Sequence, residues 1–415
     1  MALPVEAQEL ETITLGFCYN HIYQNYPTAA KADVQEKITA LNRAIIRTGR
    51  YPDIQVSGLT SYQSDVTEIP FSAPGTDPLN FSKDHYRISL DLTQPLYDGG
   101  RRQALHNLEK QVGLREQATI QTELWAVRNQ IDQIYFGILM LKKQHDSIQL
   151  MLADLNEQLS LVSAQVRNGL VLPGNELVLK AERIKASQRL TQAEADINVG
   201  YQVLSELLGI SIPIDTKLEI PTIEGNSSYD LQSINRAEYD LFKTGIQTLN
   251  DQKEVTRADR LPVIHAFGTT AYGRPGFNVF EDDLQLNWMV GLRAQWGFRS
   301  WSNASKKMEL LELEKRKIAA DKDAFTRTLE ADLRRSEVQI NTLRDLITSD
   351  EEVLELRQQV VAEKESLLEV GAITSTEYIT ELNAENRARI ELDIRKLSLI
   401  QATIELSTKK GAPWE

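Results

Sequence analysis

One long tract of the sequence, Phe298 to Val370, contains neither glycine nor proline. Proline inside a helix costs ~3 kcal/mol and glycine ~1 kcal/mol, so such a tract favours one continuous helix. At a rise of ~1.5 Å per residue, roughly 70 residues make a rod on the order of 100 Å, which cannot fold back into a compact domain. A second tract, between Pro95 and Pro173, is free of proline. The chain is therefore predicted to be built around very long helices.

The spacing of apolar residues in the first tract predicts how that helix packs. Mostly apolar positions recur there at alternating steps of four and three residues: Leu329, Leu333, Ser336, Ile340, Leu343, Ile347, Asp350, Leu354, Arg357 and Val361. This spacing makes a narrow seam, which packs against neighbouring helices and not against a broad globular core. Taken alone, the tract favours an ordinary coiled coil.

Four shorter segments have the two-residue period of β-strands. The alternation is clear at Tyr86–Thr93 and Leu286–Trp296, and weaker at Ile54–Tyr62 and Val263–Tyr272. The apolar positions of the two clear segments include Ile88, Leu90, Leu92, Leu286, Trp288, Val290 and Leu292. Each segment is about the 9–11 residues of a strand that crosses a bilayer at a tilt. A half-buried sheet in a soluble domain has the same period, so the alternation leaves both interpretations open.

Aromatic residues gather at both ends of these segments. Those at the loop ends are Tyr62, Tyr86 and Tyr272, and those at the helix ends are Tyr51, Tyr97, Trp296, Phe298 and Trp301. The two interfaces of a membrane with water favour such paired aromatic bands. This placement favours strands that cross a membrane.

The second half of the chain repeats the first. Pro52–Tyr62 and Pro262–Tyr272 share Pro, Ile, Gly, Thr and Tyr at corresponding positions. Each long helix is followed by a break that carries a glycine, Gly169 or Gly371, as expected just past the end of a helix. Each half is thus predicted to run helix, strand, loop, strand, long helix, tight turn, long helix. Four strands cannot close a barrel, so closure is predicted to come from other copies of the chain.

Composition limits the class and the partners of the chain. Its net charge of −13 argues against a nucleic-acid partner and predicts no polybasic patch for anionic lipid. Cys18 is the only cysteine and is predicted to lie in a helix. No segment approaches the ~20 apolar residues of a membrane-spanning helix. The start, Met1–Glu6, lacks the regions of a signal peptide, so either the protein is cytoplasmic or such a peptide has been removed.

Together these features resemble the TolC family of outer-membrane efflux and secretion channels. The resemblance rests on Leu92–Arg102 (Leu-Thr-Gln-Pro-Leu-Tyr-Asp-Gly-Gly-Arg-Arg) at the junction of strand and helix, on the turns at Gly169 and Gly371, and on the internal repeat. It spans the chain from about Leu10 to Ser407. It implies a mainly α-helical fold with a transmembrane β-barrel part. Three copies would share a twelve-stranded barrel in the bacterial outer membrane and a helical tunnel, or α-barrel, in the periplasm.

The same resemblance implies a function and partners. The protein would be a passive exit duct of a tripartite efflux or type I secretion system, without a cofactor. A periplasmic adaptor (a membrane fusion protein) and an inner-membrane transporter would deliver the substrates. The alternative is a soluble coiled-coil periplasmic adaptor or structural interaction protein, for which the apolar sheet face would need a covering layer.

The implied domains follow the repeat. The N-terminal helices (1–50) and the connection with short helices (209–260) are expected to form an equatorial part in the periplasm. The two β-hairpins (51–97 and 261–298) are expected in the outer membrane. The two long helical hairpins, 98–208 and 299–415, are expected to form the periplasmic tunnel.

The resemblance also assigns roles to the two turns between long helices. In the family such turns contact the adaptor, and here they comprise Asn168, Gly169, Leu170, Val370, Gly371 and Ala372. The family's acidic constriction lies six and nine residues beyond the second turn glycine. This chain has Glu377 and Thr380 there, with Glu381 next, so the second position departs from the family. Glu377 is expected to form a negative ring around the axis that attracts cations, whereas Asn175 stands where a second acidic ring could have formed.

The sequence contains no common catalytic motif. A Walker phosphate loop, an HExxH zinc helix and a GxSxG elbow are all missing. The five histidines have no metal-ligand spacing: His21, His85, His106, His145 and His265. The chain is therefore predicted not to be an enzyme and to hold no metal.

Overall fold

A computed structural model describes residues 11–66, 81–222, 234–278 and 281–411 of the 415-residue chain. The chain start at Met1–Glu6, most of the loop after Tyr62, and Gly225 and Tyr229 of the connection lie outside these ranges. The long helices are α3 (Arg101–Arg167), α4 (Pro173–Leu208), α6 (Phe298–Glu369) and α7 (Ser375–Lys410). The shorter helices are α1 (Leu15–Asn25), α2 (Pro27–Thr48) and α5 (Ala237–Ala258). The described part of the chain is therefore mainly helical.

The strands form two sheets. The larger sheet is antiparallel throughout, with the order β2 (Asp53–Tyr62), β3 (Asp84–Tyr97), β5 (Val263–Arg274), β6 (Gln285–Gln295). These are the four strands expected from the alternation. The smaller sheet pairs β1 (Thr12–Ile13) with β4 (Lys217–Leu218) in parallel, and the sequence did not predict it. Two strands of two residues each are too short to show a period.

The long helices follow the distribution of helix breakers. The 72 residues of α6 fill nearly the whole tract that lacks glycine and proline, as predicted. The 67 residues of α3 continue through Gly113 and Gly137. A Cβ atom at Gly113 would lie 2.4 Å from the Thr39 hydroxyl of α2, so glycine is needed there for the close approach of two helices.

The chain divides into two compact units, which are described separately. The first comprises residues 1–33, 118–240 and 322–415, and the second comprises 34–117 and 241–321. The larger sheet belongs to the second unit. The first unit contains β1, β4 and the turns between the long helices.

The first unit has its largest apolar core around α3 and α4. Tyr135 is fully buried there, and its hydroxyl lies within hydrogen-bond distance of two carbonyl oxygens, those of Ile13 (2.9 Å) and Glu219 (2.6 Å). The side chain thereby joins α3 to both strands of the small sheet. Cys18 is buried in α1 against the same core, so its predicted helical position is correct.

The predicted seam of α6 is the contact surface of that helix with α7. Leu329, Leu333 and Ile340 are buried with Ala402 and Leu406. The polar positions of the seam are paired across the same interface. The Ser336 hydroxyl accepts from Lys409 Nζ at 2.9 Å, and Asp350 forms an ion pair with Arg395 at 2.8 Å. Because Ser336 has a hydrogen-bond partner and Asp350 has an ion-pair partner, the seam tolerates both polar residues.

One buried carboxylate of the first unit has a perturbed protonation equilibrium. Asp132 is 1 % exposed; one of its oxygens accepts from the Tyr19 hydroxyl and the other has no hydrogen-bond partner. Burial raises the pKa of the Asp132 carboxyl to about 6, although the bond from Tyr19 and the charge of Arg128 favour ionisation. The charge of Glu405 adds to the rise.

The raised pKa predicts how stability depends on pH. The folded protein binds the Asp132 proton more tightly than the unfolded chain, whose pKa is ~3.9. The stabilising contribution of this group is therefore complete below pH ~4 and is lost as the pH rises through about 6. Asp132→Asn keeps the acceptor for Tyr19 and should raise stability at pH 8 by up to about 3 kcal/mol, with no gain at pH 4. Thermal unfolding in detergent at both pH values measures this, with the exposed Asp323→Asn as control; equal effects of both substitutions would contradict it.

Candidate functional site

One face of the larger sheet is apolar and open. The strand register places Val56, Leu90, Thr270 and Trp288 side by side across all four strands. All seven strand residues expected to face lipid lie on this face and are exposed: Ile88, Leu90, Leu92, Leu286, Trp288, Val290 and Leu292. Their exposed fractions reach 73 % at Leu286. An apolar surface of this extent marks a binding or membrane surface, because water-facing sheets are polar on their open side.

The opposite face carries a polar cluster at the centre of the sheet. The Asp91 carboxylate accepts from the Thr269 hydroxyl at 2.7 Å and from the Ser89 hydroxyl at 2.9 Å. The hydroxyls of Ser57 and Ser89 are 2.8 Å apart. The cluster thus links β2, β3 and β5 through side chains. Leu59, Phe267 and Met289 share this face, so it is predominantly rather than wholly polar.

Aromatic side chains lie at both ends of the sheet, as the sequence indicated. At the loop ends Tyr62 is 77 % exposed and Tyr272 is also exposed. At the helix ends the Trp296 and Phe298 rings have centroids 5.2 Å apart. The Trp296 indole N–H donates to the carbonyl oxygen of Arg260 at 3.0 Å. Rings that are apolar on one side and hydrogen-bonded at the tip suit a membrane interface.

The two outer strands of the sheet, β2 and β6, each pair with only one neighbour. In the part of the chain that the structure describes, no further strand pairs with their outer edges. An open strand edge presents unpaired backbone N–H and C=O groups, which cannot remain so in lipid. The sheet therefore needs partners on both sides wherever it meets a membrane.

The two turns between long helices have the same backbone form. Gly169 and Gly371 adopt left-handed φ values of 74° and 72°. The amide after each glycine donates back across the turn, from Leu170 to the Gln165 carbonyl at 2.9 Å and from Ala372 to that of Leu367 at 2.8 Å. This is the glycine-terminated helix end predicted for both halves.

The residues of the two turns are mostly exposed. Leu170 and Val370 expose 73 % and 77 % of their surface. Asn168, Gly169, Gly371 and Ala372 are exposed as well. Two large apolar side chains in water at adjacent turns provide a surface suited to a protein partner.

The two turns are joined by hydrogen bonds that the sequence did not reveal. Asn175 Oδ1 accepts from the backbone N–H of Ser375, the first residue of α7, at 2.9 Å. Gln165 Nε2 donates to the carbonyl oxygen of Glu369 at the end of α6 at 2.7 Å. Each contact satisfies a helix-end group of the other hairpin. Asn175 was singled out only as a missing acidic residue; its bond partner is 200 positions away in the sequence, and no local pattern indicates it.

The three residues expected at a gate all lie in the first turns of α7. Glu377 forms a capping box with Thr374: its carboxylate accepts from the Thr374 N–H at 2.8 Å, and its own N–H donates to the Thr374 hydroxyl at 3.3 Å. These bonds and the charge of Lys364 lower the pKa of Glu377. Glu381 forms an ion pair with Arg357 of α6 at 2.8 Å. The exposed Thr380 hydroxyl donates to the carbonyl oxygen of Thr376 at 2.8 Å.

Glu377 is exposed on α7 while held in one orientation by its cap. Its lowered pKa keeps it ionised at neutral pH. The Glu381 carboxylate is neutralised by an arginine, so it adds less negative charge than its position suggested. Of the three residues, Glu377 is therefore the one that can present a free negative charge.

Two other kinds of site have no candidate in the described part of the chain. Within the described ranges, no helix is long and apolar enough to span a membrane. No group of three or more His, Cys, Asp or Glu side chains in those ranges could hold a metal ion.

A sequence-family model matches the first half of the chain. The family model described as outer membrane efflux protein matches residues 19–210, which run from α1 through β2, β3 and α3 to the connection after α4. A comparison with curated protein sequences found no significant match.

Solved structures share the fold over nearly the whole chain. The outer membrane protein VceC of Vibrio cholerae superposes with a TM-score of 0.74 at 14 % identity, covering 97 % of either chain. The outer membrane channel CmeC of Campylobacter jejuni gives 0.73 at 12 % identity, covering 96 % of this chain and 85 % of that one. The outer membrane channel MtrE of Neisseria gonorrhoeae, in its open state, gives 0.70 at 13 % identity, covering 96 % and 89 %. At such low sequence identities, the similarity to these structures shows a shared fold and nothing more.

Proposed function

We infer that this chain, which belongs to the outer membrane efflux protein family through its residues 19–210, is an outer-membrane channel of an efflux system. The observation that carries this conclusion is the four-stranded sheet with one open apolar face, open edges on both sides and aromatic residues at both ends. A soluble adaptor would have to cover the apolar face. Within the described ranges no layer covers the seven apolar residues, whose side chains stay exposed.

The proposed channel is a homotrimer. Because β2 and β6 each have a free edge, three sheets joined edge to edge would close one barrel of twelve strands with no open edge. The apolar faces would meet lipid, and the faces with Asp91 would line a water-filled lumen. The two halves of the chain, which have the same succession of helices and strands, are proposed to derive from a duplication.

The long helices are proposed to form a tunnel in the periplasm. The helical hairpins 98–208 and 299–415 would supply its wall, and the segments 1–50 and 209–260 would surround its middle. The exposed turns around Gly169 and Gly371 would contact a periplasmic adaptor that couples the channel to an inner-membrane transporter. The chain supplies a passive conduit in this scheme, and the transporter supplies the energy.

Fractionation and conductance test the channel function. The full-length protein, expressed with a secretion signal, should appear in the outer-membrane fraction and require detergent for extraction. The extracted particle should have the mass of a trimer and conduct ions in a planar bilayer. A detergent-free monomer without conductance would instead favour the soluble adaptor.

We propose that the Glu377 carboxylates of the three subunits form a negative ring, the gate, at one end of the tunnel. This gate predicts a change in ion selectivity when the charge is removed. Glu377→Gln removes three charges from the trimer but retains the capping box, because glutamine also serves at that position. Single-channel recordings should show reduced cation selectivity and weaker block by divalent cations. Thr374→Ala is the matched control, since it breaks the cap and keeps the charge. Unchanged selectivity and block in Glu377→Gln would remove Glu377 from the gate.

A further inference from the structure

A pocket of arginines lies at the helix end of the larger sheet. It has a volume of ≈ 480 Å³, within the range of small-molecule sites. It lies entirely in the second unit, between the end of α2 and the start of α3. The lining, here called the arginine pocket, comprises Ile46, Arg47, Arg50, Tyr51, Asp98, Gly100, Arg102, Gln103 and His106. It gathers three guanidinium groups against one carboxylate.

Most of this positive charge is not neutralised by the protein. Arg102 is paired with Asp98 at 2.6 Å and also donates to the Gly49 carbonyl oxygen at 2.9 Å. Arg47 and Arg50, in contrast, form no ion pair with any residue of the described ranges. Although the net charge of the chain is −13, no carboxylate of those ranges forms an ion pair with either arginine. The net charge of the chain therefore does not determine how the fold distributes charge locally.

His106 adds a further donor to the arginine pocket. Its Nε2 accepts from Arg43 Nε at 3.2 Å, so the neutral ring carries its proton on Nδ1. His106 Nδ1 is buried and has no hydrogen bond of standard geometry, although the nearby Asn107 side chain favours protonation of the ring. Burial and the charges of Arg43 and Arg47 lower the pKa of His106, so the ring stays neutral at physiological pH. The arginine pocket thus combines two guanidinium groups that have no ion pair in the described ranges with the Nδ1–H group of His106.

The position of the arginine pocket along the sheet indicates which kind of anion it could bind. Arg50 and Tyr51 immediately precede β2, at the end of the sheet that carries Tyr97 and Trp296. Tyr51 lines the pocket and is 69 % exposed. Aromatic residues at such a level lie among lipid headgroups. Basic pockets beside them bind lipid phosphates, for which the guanidinium fork has the matching geometry.

We propose that the arginine pocket binds the phosphate of an anionic phospholipid headgroup in the leaflet nearer the helices. Arg47 and Arg50 are the phosphate ligands, and His106 Nδ1–H is a further donor to the same group. Tyr51 lies beside the glycerol region of the lipid. The proposal rests on the proposed function, because a headgroup level exists only if the sheet crosses a membrane.

Lipid binding to the extracted full-length protein tests the proposal. Delipidated protein in detergent is titrated with phosphatidylglycerol, and bound lipid is counted by native mass spectrometry. Arg47→Gln/Arg50→Gln should weaken binding by about tenfold or more, since charge-assisted hydrogen bonds to phosphate are lost. The matched control is Lys37→Gln/Lys110→Gln, which removes two exposed cations from the same two helices outside the pocket. It should bind as the wild type does.

Two further measurements are needed. One distinguishes a lipid phosphate from free phosphate, and the other distinguishes failure of the lipid site from failure of the channel function. Inorganic phosphate at millimolar concentration should not displace the lipid; displacement with equal loss in the arginine variant would identify a free-phosphate site and overturn the lipid assignment. Equal binding by the arginine variant and wild type, or equal loss in the lysine control, would overturn the site itself. Conductance of the arginine variant should remain that of wild type. A wild-type protein without any conductance would instead reject the channel function, whatever the lipid result.

Discussion

Replacing Val290 by arginine is expected to remove the protein from the outer membrane. Val290 lies at the middle of β6, on the apolar face, and exposes 70 % of its surface. An arginine on the lipid side at the midplane of a barrel costs ~2–4 kcal/mol per copy. Three copies in one barrel would bear that cost three times. The measurement is the amount of trimer in the outer-membrane fraction, which should fall to a small fraction of wild type.

The neighbouring residue provides a matched control. Met289 precedes Val290 in β6 and points to the opposite face, where it is 46 % exposed. Arginine at Met289 would face the proposed lumen and meet water, so the trimer should form and only its conductance should change. Equal loss of both variants would mean that the sheet has no lipid side, and the membrane interpretation would be rejected.

Truncating Leu155 to alanine is expected to destabilise the helical hairpins. Leu155 of α3 is fully buried in a cluster with Leu179 of α4, Leu368 of α6 and Tyr378 of α7. Removing a buried leucine side chain costs about 2–5 kcal/mol, because a cavity remains among helices that cannot close it completely. Thermal unfolding of the detergent-extracted protein should show a lower midpoint, and limited proteolysis should cut faster near Gly169.

The adjacent Asn156 is the control for this experiment. Its side chain is exposed, and alanine there increases helix propensity, so Asn156→Ala should leave the midpoint within experimental error or raise it slightly. If Leu155→Ala behaved like Asn156→Ala, the cluster would not hold the four helices together. The turns that are proposed to contact an adaptor would then need another source of rigidity.

The periodic elements could be predicted from the sequence because their signals are local. The absence of glycine and proline between Phe298 and Val370 is enough to indicate α6, and the two-residue period from Tyr86 marks β3. The left-handed φ at Gly169 and Gly371 follows from glycine just past a helix. In each case the physical cause lies within one turn or one strand of the residue concerned.

Long-range contacts could not be predicted in this way. The bond between Asn175 and the Ser375 amide joins two hairpins, and neither residue type indicates the other. The arginine pocket was missed for a related reason, since Arg50 and Arg102 come together only through the packing of α2 beside α3. At the expected gate, the sequence indicated three polar residues but not that Arg357 neutralises one of them.

The unpaired margins of β2 and β6 have a consequence for biogenesis. A newly secreted subunit would expose adhesive backbone on two sides, and the same groups that recognise the correct neighbour would also recognise any other extended chain. Folding of the sheet and assembly with the other subunits would then be one coupled step. Its rate would rise steeply with the local concentration of subunits. Cells that make few copies would need a chaperone that keeps single subunits from aggregating before they assemble.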